Sequence, residues 1–481
     1  MRWAETRQFL FRSPLLLACL RPSTACRVSA LTPTVHPASR TVALHTLGCK
    51  LNFADSGGMA RQFRARGWEV VEFGTHSDVV LLNTCTVTSE ADRKCRQTIR
   101  RALRANPDAF VIVTGCFAQL SPGQVESIDG VDLVLGAREK HDIFRYLTAL
   151  AKREETQVDV SCIDDVTEFG AAFSASERSR AFLKIQDGCD YSCSFCTIPA
   201  ARGRSRSARV REIVAQAHEI AGRGHREIVL SGVNIGLFGQ ERGDSLLPLL
   251  EALDRVDGIR RFRISSIEPN LLTDDIIDFV AGSRAFVPHF HIPLQSGDDE
   301  VLGAMRRRYR RDVYSGRVER IVQAMPDAAI GVDVIVGFPT ESGRHFQNTF
   351  DYVSDLPVSY LHVFTYSERP GTVAVERLGG SPVPKAERSQ RNRRLRLLSE
   401  KKQAAFARRF QGTRRPVLWE YGAASGGAGA ASGGEGAASS IMSGYTDNYI
   451  RVQAPHDAGR AGTIELAQLG PLLPTGNVDV A

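Results

Sequence analysis

Short apolar runs rich in β-branched residues alternate with helical patterns from residue 40 onward, and this alternation limits the chain to a few folds. Strands that alternate with helices normally build a parallel sheet that helices cover on both faces. One helical pattern, over residues 89–105, lies between two such runs. An N-terminal parallel α/β domain over residues 40–152 is predicted by four runs: TVALHTLG (41–48), DVVLLNT (78–84), FVIVTG (110–115) and VDLVLG (131–136).

Six further strand-like runs follow, separated by helical stretches such as residues 210–224 and 245–256. They are FLKIQ (182–186), EIVLSG (227–232), FRISSI (262–267), VPHFHIPL (287–294), GVDVIVG (331–337) and LHVFTY (361–366). Repeated βα units predict a barrel, and six strands would make it a partial (β/α)6 barrel. We place this core at residues 175–405, after a polar stretch at 151–178 that is interpreted as an irregular linker.

The C-terminal part differs in character from the two α/β parts. A basic helical stretch over residues 385–410 precedes a Gly/Ala/Ser-rich segment at 422–440, which has the composition of a flexible insertion. A small all-β domain over residues 408–474 is predicted by the strand-like runs PVLWEY (416–421), SGYTDNYIRVQA (443–454) and GTIEL (462–466). Such a domain can bind nucleic acid, or it can serve as a structural cap.

Length and cysteine content indicate the cellular setting. A chain of 481 residues with ten cysteines and no disulfide-dense pattern is typical of a multidomain protein in a reducing compartment, and we expect it in the cytoplasm. No segment reaches the ~18 apolar residues needed to cross a bilayer, so no membrane partner is expected. Residues 1–39 are interpreted as a disordered extension, and a signal or transit peptide is the alternative.

The charge permits a nucleic-acid partner without demanding one. The net charge is +7, and basic residues gather at 306–311, 391–396 and 407–415. Such runs are usually solvated surface, but they can also contact phosphates.

Three cysteines lie on one short loop directly after the first barrel run, as Cys189-Asp-Tyr-Ser-Cys193-Ser-Phe-Cys196, called here the loop triad. Three thiolates can each bind one iron of a 4Fe–4S cluster, whereas an ordinary electron-transfer cluster takes four cysteines. One iron would therefore remain open for a cofactor, at a strand end where barrel active sites lie. Zinc is the competing interpretation, but structural zinc needs four ligands, and no fourth Cys or His follows at finger spacing.

A second set of three cysteines is spread over the N-terminal domain. Cys49, Cys85 and Cys116, called here the strand-end triad, each follow an apolar run. Because the C-terminal ends of parallel strands lie along one sheet edge, these residues can meet in a shared metal site. The alternative is that each is a small buried hydrophobe. The cysteines interpreted as non-ligands are Cys19, Cys26, Cys95 and Cys162.

Together these motifs resemble the radical S-adenosylmethionine (SAM) methylthiotransferase family over nearly all of residues 40–470. Its N-terminal cluster domain is matched by HTLGCKLN (45–52), LLNTCTVT (81–88) and VTGCFAQ (113–119). Its radical core is matched by FLKIQDGCDYSCSFCTIPAARGRSRS (182–207), ISSIEP (264–269), HFHIPLQSGDDEVLGAMRRRY (289–309), DVIVGFPTE (333–341) and YSERPGT (366–372). Residues from about 412 to 470 resemble the RNA-binding TRAM domain.

The resemblance implies two 4Fe–4S clusters and SAM as cofactors, and tRNA as the substrate. The loop triad would be catalytic, because the open iron of its cluster would chelate SAM. One electron, from a donor such as a flavodoxin-like protein, would then cleave SAM to a 5′-deoxyadenosyl radical. The strand-end triad would hold an auxiliary cluster that carries the sulfur, and SAM would also donate the methyl group.

Within the family, GCKLN at 48–52 resembles the branch that modifies C2 of threonylcarbamoyladenosine at position 37 of tRNA, next to the anticodon. Isopentenyladenosine of tRNA and an aspartate of a ribosomal protein are the alternative substrates. A non-catalytic iron–sulfur RNA-binding sensor and a radical enzyme for a small metabolite are alternatives of other classes. An open-iron loop on a barrel argues against the sensor, and the basic C-terminal part argues against the small metabolite.

Polar residues at the ends of the barrel strands are further candidates for the cofactor site. The candidates are Gly232, Asn234, Ser266, Glu268, Gln295 and Asp333, together with Phe195 inside the cysteine loop. Loop structure or capping is the alternative role of the polar residues, and shielding of the cluster is the alternative for Phe195. His289 and His291 alternate along one strand, so both side chains should point the same way, toward either the core or the site.

Overall fold

The computed structural model describes residues 40–148, 150–175, 179–379, 382–421 and 441–480. The interpretations of residues 1–39, which include Cys19 and Cys26, and of the segment 422–440 lie outside this described part. Within it, the chain forms a parallel sheet, a partial barrel and a small closed barrel, in the order that the sequence predicts.

The N-terminal part is a six-stranded sheet in which neighbouring strands are parallel. Its strands are β1 (Thr41–Thr46), β2 (Glu69–Val71), β3 (Val79–Thr84), β4 (Phe110–Gly115), β5 (Leu133–Leu135) and β6 (Gln157–Asp159). They lie in the order β2-β1-β3-β4-β5-β6. The central strands β3 and β4 are buried along their whole length, which explains their unbroken apolar sequences.

Helices connect these strands. They are α1 (Lys50–Ala65), α2 (Ser89–Ala105), α3 (Cys116–Leu120) and α4 (Pro122–Glu126), with a 3-10 helix at Glu139–Arg145. Helix α2 spans the residues that its sequence pattern predicts. It begins where it does because the Thr88 hydroxyl accepts a hydrogen bond of 3.1 Å from Ala91 N and so caps the first turn.

The middle part contains the predicted partial barrel. Its strands are β7 (Phe173–Ser174), β8 (Arg180–Lys184), β9 (Gln186–Asp187), β10 (Arg206–Ser207), β11 (Glu227–Ser231), β12 (Arg261–Ile264), β13 (His289–His291), β14 (Ala329–Val336) and β15 (Tyr360–Thr365). Two sheets, β12-β11-β8-β7 and β13-β14-β15, make up its wall, and a bridge between Ser266 and His291 joins them. All six predicted barrel strands are present, as β8 and β11 to β15.

Helices surround this barrel. They are α5 (Ile198–Arg202), α6 (Val210–Gly222), α7 (Leu246–Asp254), α8 (Asp274–Gly282), α9 (Asp299–Ala304), α10 (Arg311–Ala324), α11 (Gly343–Asp355), α12 (Val373–Leu378) and α13 (Lys385–Arg408). Outward strand residues such as Leu183 and Leu230 pack with helix residues such as Ile213 and Leu250 in one buried cluster. The alternate positions face inward and are mostly polar; we call the space that they enclose the lumen. Every described helix is too short or too polar to span a membrane.

The stretch at 151–178 is more ordered than the irregular linker predicted from its sequence. Gln157–Asp159 is the edge strand β6 of the N-terminal sheet, and Phe173–Ser174 pairs antiparallel with β8. A 3-10 turn lies between them at Ile163–Asp165. The linker prediction was wrong at these points because strands of two or three residues are too short to show a periodic pattern.

The C-terminal part closes into a five-stranded barrel in the order β16-β17-β18-β20-β19. The strands are β16 (Arg414–Trp419), β17 (Ile441–Thr446), β18 (Arg451–Pro455), β19 (Ile464–Leu472) and β20 (Val478–Val480). The run at 443–454, predicted as one strand, is split between β17 and β18. The chain turns between them, where Tyr449 takes a left-handed φ of +67°.

Candidate active site

The loop triad lies between β9 and α5, where each sulfur atom has a hydrogen-bond donor. The sulfurs of Cys189 and Cys196 each accept a bond of 3.4 Å, from the backbone N–H groups of Tyr191 and Ile198 respectively. The Cys193 sulfur accepts one of 2.9 Å from the guanidinium of Arg307. Such donors stabilise a thiolate, the form of cysteine that binds iron, and so act against the effect of burial on these thiols.

Burial raises the pKa of all three thiols of this triad. The pKa of Cys189 rises to about 11, and that of Cys196 rises to about 12 with a further contribution from the neighbouring thiols. Burial also raises the pKa of Cys193, while the charge of Arg307 opposes this shift. Thiols raise one another's pKa when their thiolates would repel each other at short distance. A bound cation that displaces their protons removes this repulsion.

Glu268 supports the loop triad through Arg307. Its carboxylate accepts a charge-assisted hydrogen bond from Nη2 of Arg307, and Nη1 of the same guanidinium reaches Cys193. The side chains of Glu268 and Arg307 are both largely buried. The structure thus places Glu268, a candidate cofactor residue, where it fixes the donor to a cysteine.

The strand-end triad gathers at one edge of the N-terminal sheet. Cys49 precedes α1, Cys85 follows β3 and Cys116 begins α3. Burial, followed by the charges of Cys116 and Cys49, raises the pKa of Cys85 to about 12. Gly48 has a φ of +104°, and a Cβ added there would lie 2.7 Å from the Cβ of Cys85. Only glycine therefore lets the loop that carries Cys49 approach Cys85 this closely.

Neither triad is among the ligand sets compact enough for a single ion in the described residues. Three ligand atoms of His, Cys, Asp or Glu lie within 4.8 Å of one another in only one group of the described residues, His291, Asp333 and His362. Sulfur atoms around a tetrahedral zinc ion, with Zn–S bonds near 2.3 Å, would lie about 4 Å apart. Three cysteines can each bind a different iron of a multinuclear cluster, which does not require their sulfur atoms to meet around one ion.

Arg202 connects the two triads, and the sequence analysis missed it. It ends α5, shortly after Cys196, and its guanidinium donates a hydrogen bond of 2.9 Å to Asp187 and another to Asn52. Its positive charge also acts electrostatically on Cys116 and Cys49. Helix α3, which begins at Cys116, packs against α5. This contact holds the two triads on the same side of the barrel.

The ion network around Arg202 is buried. Asp55 of α1 accepts hydrogen bonds of 2.6 Å from Lys140 and 2.7 Å from Lys184. Lys184 lies in β8 and also pairs with Asp187 at 3.3 Å. Burial would raise the pKa of Asp55, but the charges of Lys140, Lys184 and Arg202 outweigh burial and lower it. The network therefore joins the N-terminal sheet to the barrel through charged groups.

A chain of hydrogen bonds runs along the wall of the lumen, between residues of neighbouring strands. Ser266 Oγ lies 2.9 Å from Nδ1 of His291, and Nε2 of His291 lies 2.8 Å from Oδ1 of Asp333. Nδ1 of His362 is 3.5 Å from the same oxygen. Burial would raise the pKa of Asp333, but His291 and His362 outweigh it and lower the pKa. His289 faces the lumen as well, with Nε2 2.8 Å from the Tyr360 hydroxyl.

The end of β11 carries a second group of candidate residues. Gln186 Oε1 accepts hydrogen bonds of 2.9 and 3.0 Å from the backbone N–H groups of Val233 and Asn234. A Cβ on Gly232 would lie 2.8 Å from this oxygen, so the loop needs glycine there. The Asn234 side chain is buried, and both its amide atoms are without a hydrogen-bond partner in the described part of the chain. Unsatisfied buried polar atoms of this kind fit a polar cofactor such as SAM.

The last two candidates have mainly structural surroundings. Gln295 has a left-handed φ of +69°, and its backbone bonds to Asp333 and Ile335 of β14. Phe195 packs edge-on against Phe338, with ring centroids 6.5 Å apart. Phe195 therefore shields the cysteine loop on one side. Cys95, interpreted as a non-ligand, is buried and exchanges hydrogen bonds with the backbone of Cys85.

Comparison with known proteins defines the class. Residues 41–136 match the family described as "Uncharacterized protein family UPF0004", and residues 183–353 match the "Radical SAM superfamily". The radical SAM methyltransferase TsrM of Kitasatospora setae, solved with cobalamin and a [4Fe-4S] cluster, has a similar fold. Its TM-score is 0.52 at 15% identity, over 70% of this chain and 77% of that chain. The fold and the loop triad define a radical SAM enzyme, which uses an iron–sulfur cluster and SAM.

Relatives by sequence narrow the class further. The threonylcarbamoyladenosine tRNA methylthiotransferase MtaB of Bacillus subtilis is 38% identical over 86% of this chain and 90% of its own length. MtaB of Aquifex aeolicus is 38% identical over 77% and 90%. The tRNA-2-methylthio-N(6)-dimethylallyladenosine synthase of Mycolicibacterium gilvum is 36% identical over 76% and 73%. The chain therefore belongs to the radical SAM methylthiotransferase family.

Proposed function

We propose that this enzyme adds a methylthio group to C2 of threonylcarbamoyladenosine in tRNA. The observation that carries the proposal is the strand-end triad, held beside the loop triad by the contact of α3 with α5. A radical SAM enzyme needs one cluster to cleave SAM, so a second cysteine set calls for a second task. Delivery of sulfur to an unreactive C–H position is such a task, and the MtaB relatives, matched over nine-tenths of their length, indicate the nucleoside.

We assign one role to each part of the chain. The N-terminal domain (40–152) would hold a 4Fe–4S cluster through the strand-end triad, and the core (175–405) would hold another through the loop triad. When bound, SAM and the two clusters would supply three things: the sulfur atom that is transferred, the methyl group, and a carbon radical that removes the C2 hydrogen. The C-terminal domain (408–474) would bind tRNA, and the electron would come from a flavodoxin-like donor.

The chain's own residues would orient these groups and keep charge in place. Arg307 donates to Cys193 and offsets the negative charge of a thiolate-bound cluster. Asn234, with its unsatisfied amide, would bind a polar group of SAM at the end of β11. The chain Ser266–His291–Asp333 fixes the polar wall of the lumen that faces the adenosine.

Mass spectrometry of tRNA nucleosides tests the nucleoside assignment. A strain that lacks this gene should accumulate threonylcarbamoyladenosine without its methylthio derivative, and the gene in trans should restore the derivative. Loss of methylthiolated dimethylallyladenosine instead would assign the chain to the activity named for the Mycolicibacterium gilvum relative. If neither nucleoside changed, the proposal would be wrong.

The cluster count can be tested separately. Anaerobically reconstituted protein should contain about eight iron and eight sulfide per chain, because each triad would hold one 4Fe–4S cluster. A value near four of each would leave one triad without a cluster.

A further inference from the structure

The start of the barrel strands forms a positively charged floor beneath the lumen. Arg180 begins β8, Glu227 begins β11 and His289 begins β13, while Arg263 lies in β12. Tyr449 of the C-terminal domain closes the floor from below, with its ring 4.5 Å from that of His289 and 4.9 Å from the Arg263 guanidinium. The cations of the floor therefore face the lumen, which the barrel wall surrounds.

Lys50 extends from the strand-end triad into this space. It follows Cys49 directly, and it lies within electrostatic range of Tyr449, Arg180, Arg263 and Asp333. His289 in turn feels its charge. Helix α1, which Lys50 begins, packs against the barrel strands β8 and β11, and its Ala54 contacts the inward residues Phe182 and Val229. Lys50 therefore lies at the lumen, where its side chain remains accessible to solvent.

The positive charge of Lys50 is not matched by a neighbouring carboxylate. In the described part of the chain, no Asp or Glu oxygen lies within 4.0 Å of its Nζ. Asp333, the acid whose charge acts on Lys50, is already held by His291 at 2.8 Å. Glu227, the acid of the floor, already forms an ion pair with Arg263 at 3.0 Å.

A second observation also indicates an anionic ligand. Arg263 is almost fully buried, yet its Nη2 atom has no hydrogen-bond partner in the described residues. Its Nε and Nη1 atoms are used by Glu227 and by the carbonyl of Asp447. A buried guanidinium with a spare donor, beside an unpaired ammonium, fits a carboxylate or another anion between them.

The chemistry of threonylcarbamoyladenosine places such an anion here. C2 is bonded to N1, and the ureido N–H can close a six-membered hydrogen-bonded ring onto N1. The threonine carboxylate therefore lies on the same edge of the base as C2. When C2 faces the sulfur carried by the strand-end triad, this carboxylate comes next to the residue that follows Cys49.

We infer that Lys50 binds the carboxylate of the threonylcarbamoyl group and thereby selects this nucleoside. The inference rests on the proposed function and adds the residue that reads the substrate. A dimethylallyl group has no charge, so it would leave the Lys50 ammonium buried beneath the substrate without a partner. Lys50 thus favours one nucleoside and disfavours the other.

Binding of anticodon stem-loop RNA to the reconstituted enzyme tests the inference. Three RNAs are compared in the presence of SAM: one with threonylcarbamoyladenosine, one with its threonine methyl ester and one with unmodified adenosine. The wild-type protein should bind the acid at least about tenfold more tightly than the ester, as expected for a charge-assisted contact. Lys50→Met should bind the acid and the ester equally, and Lys50→Arg should keep most of the preference.

Matched controls separate this role from other effects. Lys94→Met removes a charge from the exposed side of α2 and should preserve the preference for the acid. The iron content of Lys50→Met shows whether this variant retains its clusters. The comparison of acid with ester on wild-type protein tests the inference even if the variant does not fold. SAM affinity should stay unchanged in Lys50→Met. If this variant instead lost SAM binding and kept the preference for the acid RNA, Lys50 would bind the carboxylate of SAM, and the inference would be wrong.

The outcomes distinguish the inference from the proposed function. If wild-type enzyme methylthiolates the threonylcarbamoyl RNA but binds acid and ester equally, Lys50 is not the reader and the proposed function stands. If it methylthiolates only dimethylallyl RNA, the proposed function fails and the inference fails with it.

Discussion

At the scale of single residues, Arg202 shows how one side chain serves both parts of the site. It is fully surrounded by protein, and its partners come from α1, α3 and β9. Breaking a buried ion network by removing one partner leaves the other charges unpaired, which costs more than losing a surface pair. The position of Arg202 therefore makes assembly of the strand-end triad depend on the barrel.

We predict that Arg202→Gln destabilises the protein by about 3–5 kcal/mol, because Asp55 and Asp187 lose a buried partner. Urea unfolding of the metal-free protein measures this change. Arg204→Gln, an exposed position on the same loop, is the matched control and should change stability by less than about 0.5 kcal/mol. Equal midpoints for the two variants would contradict the role of Arg202.

At the scale of elements, the 3-10 helix Glu139–Arg145 makes the junction of sheet and barrel sensitive to pH. His141 lies on this helix, where burial first, and then the charges of Lys184 and Lys140, lower its pKa to about 3. An unfolded histidine titrates near 6.5. The unfolded chain therefore takes up a proton as the pH falls below 6.5, while the folded chain does not, so stability is lost on acidification.

We predict that wild-type protein loses about 1 kcal/mol between pH 7.0 and 5.5 through His141 alone. His141→Gln should remove this part of the loss, although its stability at pH 7.0 can differ from wild type. Urea midpoints at the two pH values measure the difference, with His218→Gln at an exposed position of α6 as control. An identical pH dependence in wild type and His141→Gln would refute the assignment.

The positions of most helices and strands could be predicted because a helix or strand that buries one whole face shows a periodic apolar pattern in its sequence. The runs at 110–115 and 331–337 became β4 and β14, and α2 covers the predicted residues. The strands that escaped prediction, such as β7 and β20, have two or three residues and take their structure from pairing with a neighbour. Their sequences carry too little periodicity to indicate a strand.

Site residues could be predicted from the sequence where they follow a strand. Those that come together only through folding, from distant parts of the chain, could not. The two triads could be proposed because each cysteine follows an apolar run. Arg202, Lys50 and Tyr449 come from three parts of the chain and acquire their roles only in the folded molecule. A charged residue inside an apolar run, such as Lys184 in FLKIQ, was the one signal that could have indicated the buried network.

At the scale of the whole molecule, the C-terminal barrel packs against the radical SAM core, and it is also a candidate RNA-binding domain. Arg261 of β12 donates hydrogen bonds to the carbonyls of Pro416 and Tyr445, at 2.6 and 3.1 Å. Tyr449 closes the floor of the lumen. Deleting this domain would therefore open the barrel, so point variants are the better test of RNA binding.

The basic residues of this region divide into two groups. Arg391 and Arg415 form internal ion pairs, with Glu341 and Asp447 respectively. Arg394 and Arg409 are exposed but hydrogen-bond Gln347 and Pro326. Four further exposed arginines remain available for phosphates: Arg393, Arg396, Arg408 and Arg414. Of the basic runs found in the sequence, the exposed group is therefore the candidate for phosphate contacts.

We predict that replacing these four exposed arginines with glutamine weakens tRNA binding and lowers its dependence on salt. Each lost phosphate contact should reduce the slope of log K against log salt by about 0.7–0.9. The anaerobic cleavage of SAM should stay unchanged, because the loop triad lies in another part of the chain. An unchanged salt slope would show that tRNA docks on a different surface.

The division of labour between the two cysteine triads is the central claim, and one product assay with two variants tests it most directly. Cys193→Ala removes a ligand from the loop triad and should abolish both 5′-deoxyadenosine and methylthiolated tRNA. Cys85→Ala alters only the strand-end triad, so it should still form 5′-deoxyadenosine under reducing conditions while leaving the tRNA without a methylthio group. Methylthiolated tRNA made at the wild-type rate by Cys85→Ala would contradict the account.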